Sequence, residues 1–511
     1  MQEMDLTALN NNLKPEEFQT RVKSAVFWRS GTQILAQIIS WASTLAVIRI
    51  LEPSDYGLFA MTSVVLVFLN FLNGYGFVSA LIQSDKVESI RIRQAFGMLI
   101  LLNAGLAATQ FFVIAPLAAT YYGEPVISDM LRWQSLIYLS TPFLILPEAM
   151  LSRNLDFKKP AIVNLTSAFI GAVVALGMAY GGYGVWTLVS APIAIFWTRA
   201  IALIVATRFW VRPSFNFKGA GGMFGFGTAM LIAHGFWIIQ SQGDIFIAGR
   251  AFDNHDLGLY AEALFLTQIF AAKFVPPLNE VAFPAYARLQ NDRVALASGF
   301  LKAVRLIMLV SCPLYLGMAV TAQPLVDVVM GPKWTDAAPL VAILALAMPV
   351  MTLHILFAPA LSALGLPNIV LRNAIFGAVL MPSVYLFAVQ FGAEGLAWGW
   401  LVAFPILLTF TIYQARPHIG FTLRGLAESI LPGLAAAAAM AAVVWSIDHM
   451  LIMQRWPDMP SVLRLALLAA TGVCFYVAMM WLRARATFME VVNLVVRRKP
   501  PEPDQNAPLK P

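Results

Sequence analysis

Long apolar runs separated by short polar connections divide this sequence almost from end to end. The runs lie near 26–48, 57–82, 95–119, 131–150, 161–180, 184–207, 222–248, 257–283, 300–322, 338–362, 370–390, 394–414, 426–447 and 462–482. Each has about 20 residues, the length that an α-helix needs to cross the hydrocarbon core of a bilayer. Lipid-exposed backbone must bond within its own segment, and the runs lack period-two alternation, so we predict helices rather than barrel strands.

The composition supports a membrane protein. Hydrophobic residues make up 59% of the chain and charged residues 12%, and the mean hydropathy is +0.73, whereas soluble domains have about 25% charged residues. Long polar stretches occur only in the first 25 residues and in the last 25 or so. The sequence therefore predicts an all-α, polytopic membrane protein with about 14 transmembrane helices.

Basic residues are concentrated in alternate connections between the runs. One set of connections holds Lys86, Arg91, Arg93, Arg153, Lys158, Lys159, Arg208, Arg212, Lys218, Arg288, Arg293 and Lys302. The opposite set holds only Arg49, Arg250, Lys333, Arg455 and Arg464. This alternation predicts an even number of spans with both termini in the cytoplasm. The net charge of +7 is spread over these connections rather than gathered in one patch, so we expect no nucleic-acid partner.

The N-terminal residues do not resemble a cleavable signal peptide, because Glu3, Asp5, Glu16 and Glu17 precede the first apolar run. The two cysteines, Cys312 and Cys474, both lie inside apolar runs. We therefore expect no disulfide, no metal site and no cofactor.

A repeat is visible within the chain. The segment Arg49-Ile-Leu-Glu-Pro-Ser-Asp55-Tyr-Gly57-Leu-Phe-Ala60 matches Arg250-Ala-Phe-Asp-Asn-His-Asp256-Leu-Gly258-Leu-Tyr-Ala261, with an offset of 201 residues. The repeat follows an even number of spans, so the two copies run parallel about an axis along the membrane normal, and such pairs commonly enclose a cavity.

The repeat and the runs together predict the domain organisation. We expect two homologous six-helix bundles around a central cavity and two additional helices at the end. The predicted parts are a cytoplasmic N-terminal segment (1–25), the first bundle (26–207), a cytoplasmic linker (208–221), the second bundle (222–414), two additional transmembrane helices (426–482) and a basic, Pro-rich cytoplasmic tail (483–511).

Polar side chains follow one face of the first span and of its counterpart in the second half. The first face carries Arg29, Gln33, Gln37, Ser40 and Thr44, and the second carries His234, Trp237, Gln240, Ser241 and Asp244. The helical spacing indicates that each set lies on one side. Polar groups inside spans are functional candidates, so both faces predict a wet cavity, and hydrogen bonding between helices is the alternative.

Lys273 is the best candidate for an inward-facing cation. It lies near the repeat position of Asn70 and Asn73 in the second span. Pro276-Pro277 should break the helix nearby and free backbone carbonyls.

Four charged residues occupy equivalent repeat positions at the predicted outer ends: Arg49, Asp55, Arg250 and Asp256. Their equivalence favours a structural or gating role over contact with cargo. For Asp244 and Arg250, six residues apart near the predicted outer end, an ion pair that fixes helix ends and a functional role are equally favoured.

Several motifs resemble one known family. They are Ser54-Asp-Tyr-Gly-Leu58, Ser79-Ala-Leu-Ile-Gln83, Tyr121-Tyr-Gly-Glu-Pro125, Asp244-Ile-Phe-Ile-Ala-Gly-Arg250, Phe283-Pro-Ala-Tyr-Ala-Arg-Leu-Gln290 and Gly331-Pro-Lys-Trp334. In this order they resemble oligosaccharide flippases of the Wzx type, in the multidrug/oligosaccharidyl-lipid/polysaccharide exporter superfamily. The resemblance covers most of the chain.

The resemblance implies two six-helix bundles that form a V, alternating access, and a polyprenyl-diphosphate-linked oligosaccharide as cargo in a bacterial inner membrane. Polysaccharide polymerases and export proteins are the protein partners that it implies. On this interpretation Arg29 and Lys273 attract the diphosphate, while the polar face and Trp237 meet the sugars.

Two other classes of membrane protein are alternatives to a flippase. A glycosyltransferase or polymerase is disfavoured, because Glu52-x-x-Asp55 recurs in both halves, the outer connections are short, and no His or Cys cluster occurs. A cation-coupled multidrug antiporter of the same superfamily is the closer alternative. Antiporters of this kind often use a buried acid in the first span, and positions 30–51 contain none, but Asp244 and Glu262 leave ion coupling open.

Overall fold

The computed structural model describes residues 15–72, 89–153, 156–208, 211–217 and 227–483, and within these ranges every regular element is a helix. The α-helices are α1 (Pro15–Ile50), α2 (Pro53–Leu72), α3 (Ser89–Thr109), α4 (Ala115–Tyr122), α5 (Pro125–Gln134), α6 (Leu136–Ser140), α7 (Pro142–Arg153), α8 (Lys158–Tyr180), α9 (Trp186–Thr207), α10 (Gly227–Ala251), α11 (Asn254–Arg288), α12 (Arg293–Val320), α13 (Ala322–Val329), α14 (Ala338–Ile355), α15 (Phe357–Ala363), α16 (Pro367–Ala388), α17 (Gly392–Ile419), α18 (Leu423–Ile447), α19 (Met453–Arg455) and α20 (Ser461–Arg483). Short π-helices (Gln110–Ile114, Asp448–Ile452) and 3-10 helices (Pro332–Ala337, Val389–Phe391) complete the set. The predicted all-α fold class is confirmed.

The described helices are numerous enough for the crossings that the sequence predicts. Eleven stretches of the described chain are long and apolar enough to span a bilayer. One of them, Pro367–Ile419, contains both α16 and α17. The broken helix α5–α7 and the 25-residue α10 supply two more crossings. The described part of this polytopic membrane protein therefore offers fourteen candidate crossings.

The chain packs as two compact units whose boundaries differ from those of the repeats. The first unit contains Met1–Ala263, Val329–Ala337 and Ala374–Gly399, and the second contains Leu264–Val328, Ala338–Asn373 and Trp400–Pro511. The first unit thus holds the first repeat together with three segments from the second half of the chain. The predicted division into bundles, linker, additional helices and tail stays a prediction.

The second unit is built around a large apolar core. Three aromatic rings, Phe300, Phe357 and Phe421, pack with centroid distances of 5.0, 5.4 and 6.0 Å. The two helices predicted to follow the second bundle, α18 and α20, pack in this unit. Gly433 brings α18 close to the backbone of Leu309 in α12.

One buried ion pair joins the two C-terminal helices. Arg464 donates from Nε and from NH2 to the two carboxylate oxygens of Asp448, at 2.7 Å each. The Asp448 side chain is only 3% exposed. Paired in this bidentate way, the two charges are neutralised within the unit.

The fourth span is not one helix. It consists of α5, α6 and α7, interrupted at Ser135 and Thr141. Side chains of neighbouring spans bond to its backbone: Trp197 Nε1 donates to the Leu136 carbonyl at 3.1 Å, and Gln110 Nε2 donates to the Leu131 carbonyl at 2.6 Å. These bonds tie the broken span to its neighbours, and the Leu131 carbonyl also accepts from the Ser135 N–H at 3.0 Å.

The predicted break at Pro276-Pro277 is wrong, because α11 runs without interruption from Asn254 to Arg288. Both prolines lie on the exposed side of α11, whereas Val275 beside them is fully buried. A helix can curve around its buried side at proline without ending, and neighbouring packing holds it.

The Asp448–Arg464 pair predicts a large effect on stability. Removing one partner leaves a buried charge unpaired, so Arg464→Met should lower the free energy of unfolding by about 3–5 kcal/mol. Thermal denaturation of the purified protein in detergent measures the change. The control is Arg424→Met, since Arg424 pairs with Glu428 on the surface of α18 with 90% of its side chain exposed, and its loss should cost less than about 1 kcal/mol. Equal effects of the two changes would contradict the assignment.

Candidate functional site

The acidic residues of the repeated motif cap two equivalent helices. In the first repeat, the Asp55 carboxylate accepts a hydrogen bond from the backbone N–H of Glu52 at 3.1 Å. In the second, the Asp253 carboxylate accepts from the backbone N–H of Asp256 at 2.8 Å. These are the two halves of a capping box, so the acid-x-x-acid spacing starts α2 and α11. Among the described residues, His, Cys, Asp and Glu form no group that could hold a metal ion.

The starts of α2 and α11 cross at a pair of glycines. A Cβ atom on Gly57 would overlap the carbonyl of Asn254, and a Cβ atom on Gly258 would overlap the carbonyl of Pro53. The repeat offset relates Gly57 to Gly258 and Pro53 to Asn254. The two glycine contacts are therefore equivalent under the repeat, and the crossing has two-fold pseudosymmetry.

Two arginines at equivalent positions repeat this symmetry. Arg49 donates from Nε to the Val329 carbonyl at 3.3 Å, and Arg250 donates from NH1 to the Tyr121 carbonyl at 2.7 Å. Each accepting carbonyl lies two residues before a glycine with positive φ, Gly331 (97°) in one case and Gly123 (79°) in the other. Each arginine thus bonds to the corresponding turn of the opposite repeat.

Further contacts surround the arginines. Lys333 donates to the Glu52 carboxylate at 2.7 Å and to the Ile50 carbonyl at 2.9 Å. Trp334 is fully buried and donates from Nε1 to the Ile48 carbonyl at 2.8 Å. We call the contacts of Arg49, Gly57, Arg250, Gly258 and Lys333 the repeat clasp.

The polar face of α1 is largely uncovered. We define this α1 polar face as Gln33, Gln37, Ser40 and Thr44; Gln33 and Thr44 are exposed, and the other two are half-buried. A second side of the same helix is exposed and apolar, with Ile34, Ile38, Trp41 and Leu45 between 41% and 61% exposed. Because this arrangement leaves amides and hydroxyls uncovered, it favours contact with water over hydrogen bonding between helices. The Arg29 side chain lies outside the described residues.

The polar residues of α10 divide into two groups. Asp244 is fully buried and accepts a hydrogen bond from the Tyr260 hydroxyl at 2.9 Å. Gln240 packs against Gly377 of α16. Trp237 is 47% exposed and Ser241 is half-buried. Of the predicted cavity residues on α10, the structure therefore places Asp244 in the interior of the first unit and leaves Trp237 accessible.

The remaining predicted residues are placed separately. Asn70 is exposed on α2 in the first unit, and Lys273 is exposed on α11 in the second. Asn73 and the side chain of His234 lie outside the described residues. Asp256 is exposed at the start of α11, where its N–H completes the cap, and Asp55 is half-buried against Gly184.

Two polar features inside the first unit were missed by the sequence analysis. Thr62, Gln110 and Gln134 are almost completely buried, and Gln134 Nε2 donates to Thr62 Oγ1 at 3.2 Å. An ion pair also joins Glu148 of α7 to Arg199 of α9 at 3.3 Å. All five residues lie inside apolar runs, so each was visible in the sequence as a polar residue within a predicted span. The predicted cavity residues came mainly from the first and seventh spans and did not include them.

Comparison with known proteins identifies a family that matches the region containing both copies of the repeated segment. A family described as polysaccharide biosynthesis protein matches residues 46–339, more than half of the chain. The matched range includes every residue of the repeat clasp.

Curated relatives cover most of the chain at low identity. The succinoglycan biosynthesis transport protein ExoT of Rhizobium meliloti is 25% identical over 88% of this chain and 91% of its own length. The teichuronic acid biosynthesis protein TuaB of Bacillus subtilis is 23% identical over 80% and 85%, respectively. The lipopolysaccharide biosynthesis protein WzxC of Escherichia coli is 20% identical over 78% and 82%.

Solved structures show the same fold. The lipid II flippase MurJ in an inward closed conformation aligns with a TM-score of 0.72 at 11% identity, over 89% of this chain and 99% of its own. An inward-facing multidrug resistance transporter of the MATE family, in the MOP superfamily, aligns with a TM-score of 0.62 at 11% identity, over 78% and 98%. These likenesses establish the arrangement of the helices.

The glycine crossing predicts an unusual cost for a small change. Alanine normally stabilises a helix interior relative to glycine, yet Gly57→Ala and Gly258→Ala should each destabilise the protein by about 1–3 kcal/mol, because the new methyl group overlaps backbone. Gly177→Ala in α8 is the matched control, since no atom lies within 4 Å of its added Cβ. Thermal denaturation in detergent should rank Gly177→Ala above both clasp variants. Equal stability of all three would exclude the close crossing.

Proposed function

The chain belongs to the family of polysaccharide biosynthesis proteins, and from this premise we propose that it is a flippase for lipid-linked oligosaccharide repeat units. The cargo is a polyprenyl-diphosphate-linked oligosaccharide, moved across a bacterial inner membrane for exopolysaccharide or lipopolysaccharide biosynthesis. Both termini are cytoplasmic in this proposal. Relatives named for succinoglycan transport and lipopolysaccharide biosynthesis support it, as does the shared fold with a lipid II flippase.

The observation that carries the proposal is the pair of exposed sides on α1. A lipid-linked sugar is amphipathic: its head group loses many hydrogen bonds in hydrocarbon, whereas its chain loses nothing. The α1 polar face offers amides and hydroxyls beside an exposed apolar side of the same helix. A head group can therefore bond along the polar face while the prenyl chain stays among the lipids.

The roles of individual residues follow from this arrangement. Gln33 and Gln37 replace water around the sugars, and the accessible Trp237 ring stacks on a sugar face. Arg29 on α1 supplies positive charge for the diphosphate, and Lys273 stays a separate candidate cation on α11. Asn70 and Asn73 add amide donors, with His234 and Gln240 as further polar contacts.

Alternating access requires that the contacts between the repeats open and close. The repeat clasp suits this task, because Arg49 and Arg250 bond to single carbonyls and Gly57 and Gly258 meet without interlocking side chains. Its opening breaks these arginine bonds and the bonds of Lys333 to Glu52 and Ile50. We therefore assign the clasp as a gate, with Asp55 and Asp256 preserving the helix starts on which it is built.

A cation-coupled multidrug antiporter is the second candidate. The shared fold with a MATE transporter and the fully buried Asp244 favour it. The described part of α1 contains no acid, however, and the relatives cited are named for polysaccharide rather than drug transport. Neither candidate is an enzyme, and polymerase and export proteins are the partners that a flippase would serve.

The α1 polar face yields a direct test of the proposal. Gln33→Leu combined with Gln37→Leu should lower polymer export at least about tenfold, because the head group loses two bonding partners worth about 1–1.5 kcal/mol each. Export is measured in a strain that lacks the native gene, with the amount of folded protein determined in parallel. Ile34→Val combined with Ile38→Val changes the neighbouring apolar side and should leave export unchanged.

Lipid-linked repeat units provide the second readout of the same experiment. They should accumulate on the cytoplasmic leaflet in the glutamine variant and in the deletion strain. Normal export by the glutamine variant would refute the role of this face. Loss of drug export with normal polymer export in the deletion strain would instead favour the antiporter.

A further inference from the structure

An ion pair inside the first unit stands apart from both the α1 polar face and the repeat clasp. Glu148 lies five residues before the end of α7, and Arg199 lies eight residues before the end of α9. At 1.5 Å per residue, the two charges are about 8 and 12 Å inside their helices. Charges at such depth cost several kcal/mol unless they serve a partner or a ligand.

Arg199 points away from the lipid-facing side of α9. Ile201 and Val205 are 56% and 71% exposed and mark that side. At 100° per residue, they lie about 200° and 240° around the helix from Arg199. The guanidinium therefore does not reach along the lipid surface toward the membrane boundary, and its place is inside the bundle.

The contact between the two side chains is weak. It joins one Arg199 nitrogen, NH2, to one Glu148 oxygen at 3.3 Å. The Arg464–Asp448 pair shows what the same groups achieve when they fit, with two bonds of 2.7 Å. In the described part of the chain, Arg199 Nε is buried and has no hydrogen-bond partner. An unused donor of this kind costs about 1–3 kcal/mol or more.

We propose that Arg199 is an anion-binding site for the diphosphate of the cargo and that Glu148 occupies it in the absence of cargo. This inference rests on the proposed function. A diphosphate presents adjacent oxygens that match the guanidinium fork, including the Nε–H that Glu148 leaves unused. Both side chains remain accessible, at 25% and 35% exposure, so an anion can replace the carboxylate.

Glu148 stands on α7, the last part of the broken fourth span, and its side chain is 35% exposed. The carboxylate therefore has room to leave Arg199 by a change of rotamer. When the diphosphate binds, Glu148 moves aside, because two negative groups cannot share the guanidinium without repulsion.

Binding of a short prenyl diphosphate to the purified full-length protein in nanodiscs tests the site. Farnesyl diphosphate is the probe, and inorganic diphosphate is the competitor. Arg199→Gln should weaken binding at least tenfold, while Glu148→Gln should strengthen it several-fold because the competing carboxylate is gone. Arg91→Gln, which removes an exposed arginine near the start of α3 in the same unit, should leave binding unchanged. Inorganic diphosphate should compete with wild type and not with Arg199→Gln.

The outcomes separate this site from the proposed function. Equal weakening by Arg199→Gln and Glu148→Gln, or no change in either, would show that the ion pair only supports packing and would overturn the site while leaving the flippase proposal intact. Failure of the wild-type protein to bind the probe would overturn the site, whereas the export assay of the α1 variants tests the flippase proposal separately. If Arg199→Gln does not fold, Arg199→Lys keeps the charge but loses the fork, and unchanged binding by that variant would also overturn the site.

Discussion

Polar groups within a bilayer must be bonded by protein or reached by water, and the rest of this structure depends on that constraint. Backbone groups meet it by forming helices throughout the described chain. Buried charges meet it by pairing, as in Asp448 with Arg464, or by accepting a hydroxyl, as in Asp244 with Tyr260. The α1 polar face is uncovered by protein, so in this account water must cover it.

The two copies of the repeated segment form a symmetric contact. Arg49 and Arg250 each reach a turn of the other repeat, and Gly57 and Gly258 each pack on the other's helix start. A contact of this kind depends on both copies keeping the same residues. Its arginines and glycines contact backbone carbonyls, whereas Lys333 and the fully buried Trp334 add side-chain contacts to the first repeat.

The sequence predicted what depends on local pattern. Each span is a local apolar run, so the all-α fold and the candidate crossings followed from length and hydropathy. The family resemblance, which rested on ordered motifs, is confirmed. The partners of the arginines could not be predicted, because Arg250 and Tyr121 are 129 residues apart. For the same reason, Glu148 and Arg199 were visible as charges but not as neighbours. The predicted helix break at Pro276-Pro277 was wrong because it considered only the local effect of proline, whereas the packing of α11 holds the helix together.

The central claim is that water reaches one side of α1 while lipid covers the next. Single cysteines at Gln37 and Ile38, in a Cys312→Ala, Cys474→Ala background, test it through their reaction with a charged, membrane-impermeant thiol reagent in oriented vesicles. The account predicts rapid modification at position 37 and little at position 38, because the reactive thiolate forms only in contact with water. Equal protection of both positions would show that protein or lipid seals this face and would contradict the account.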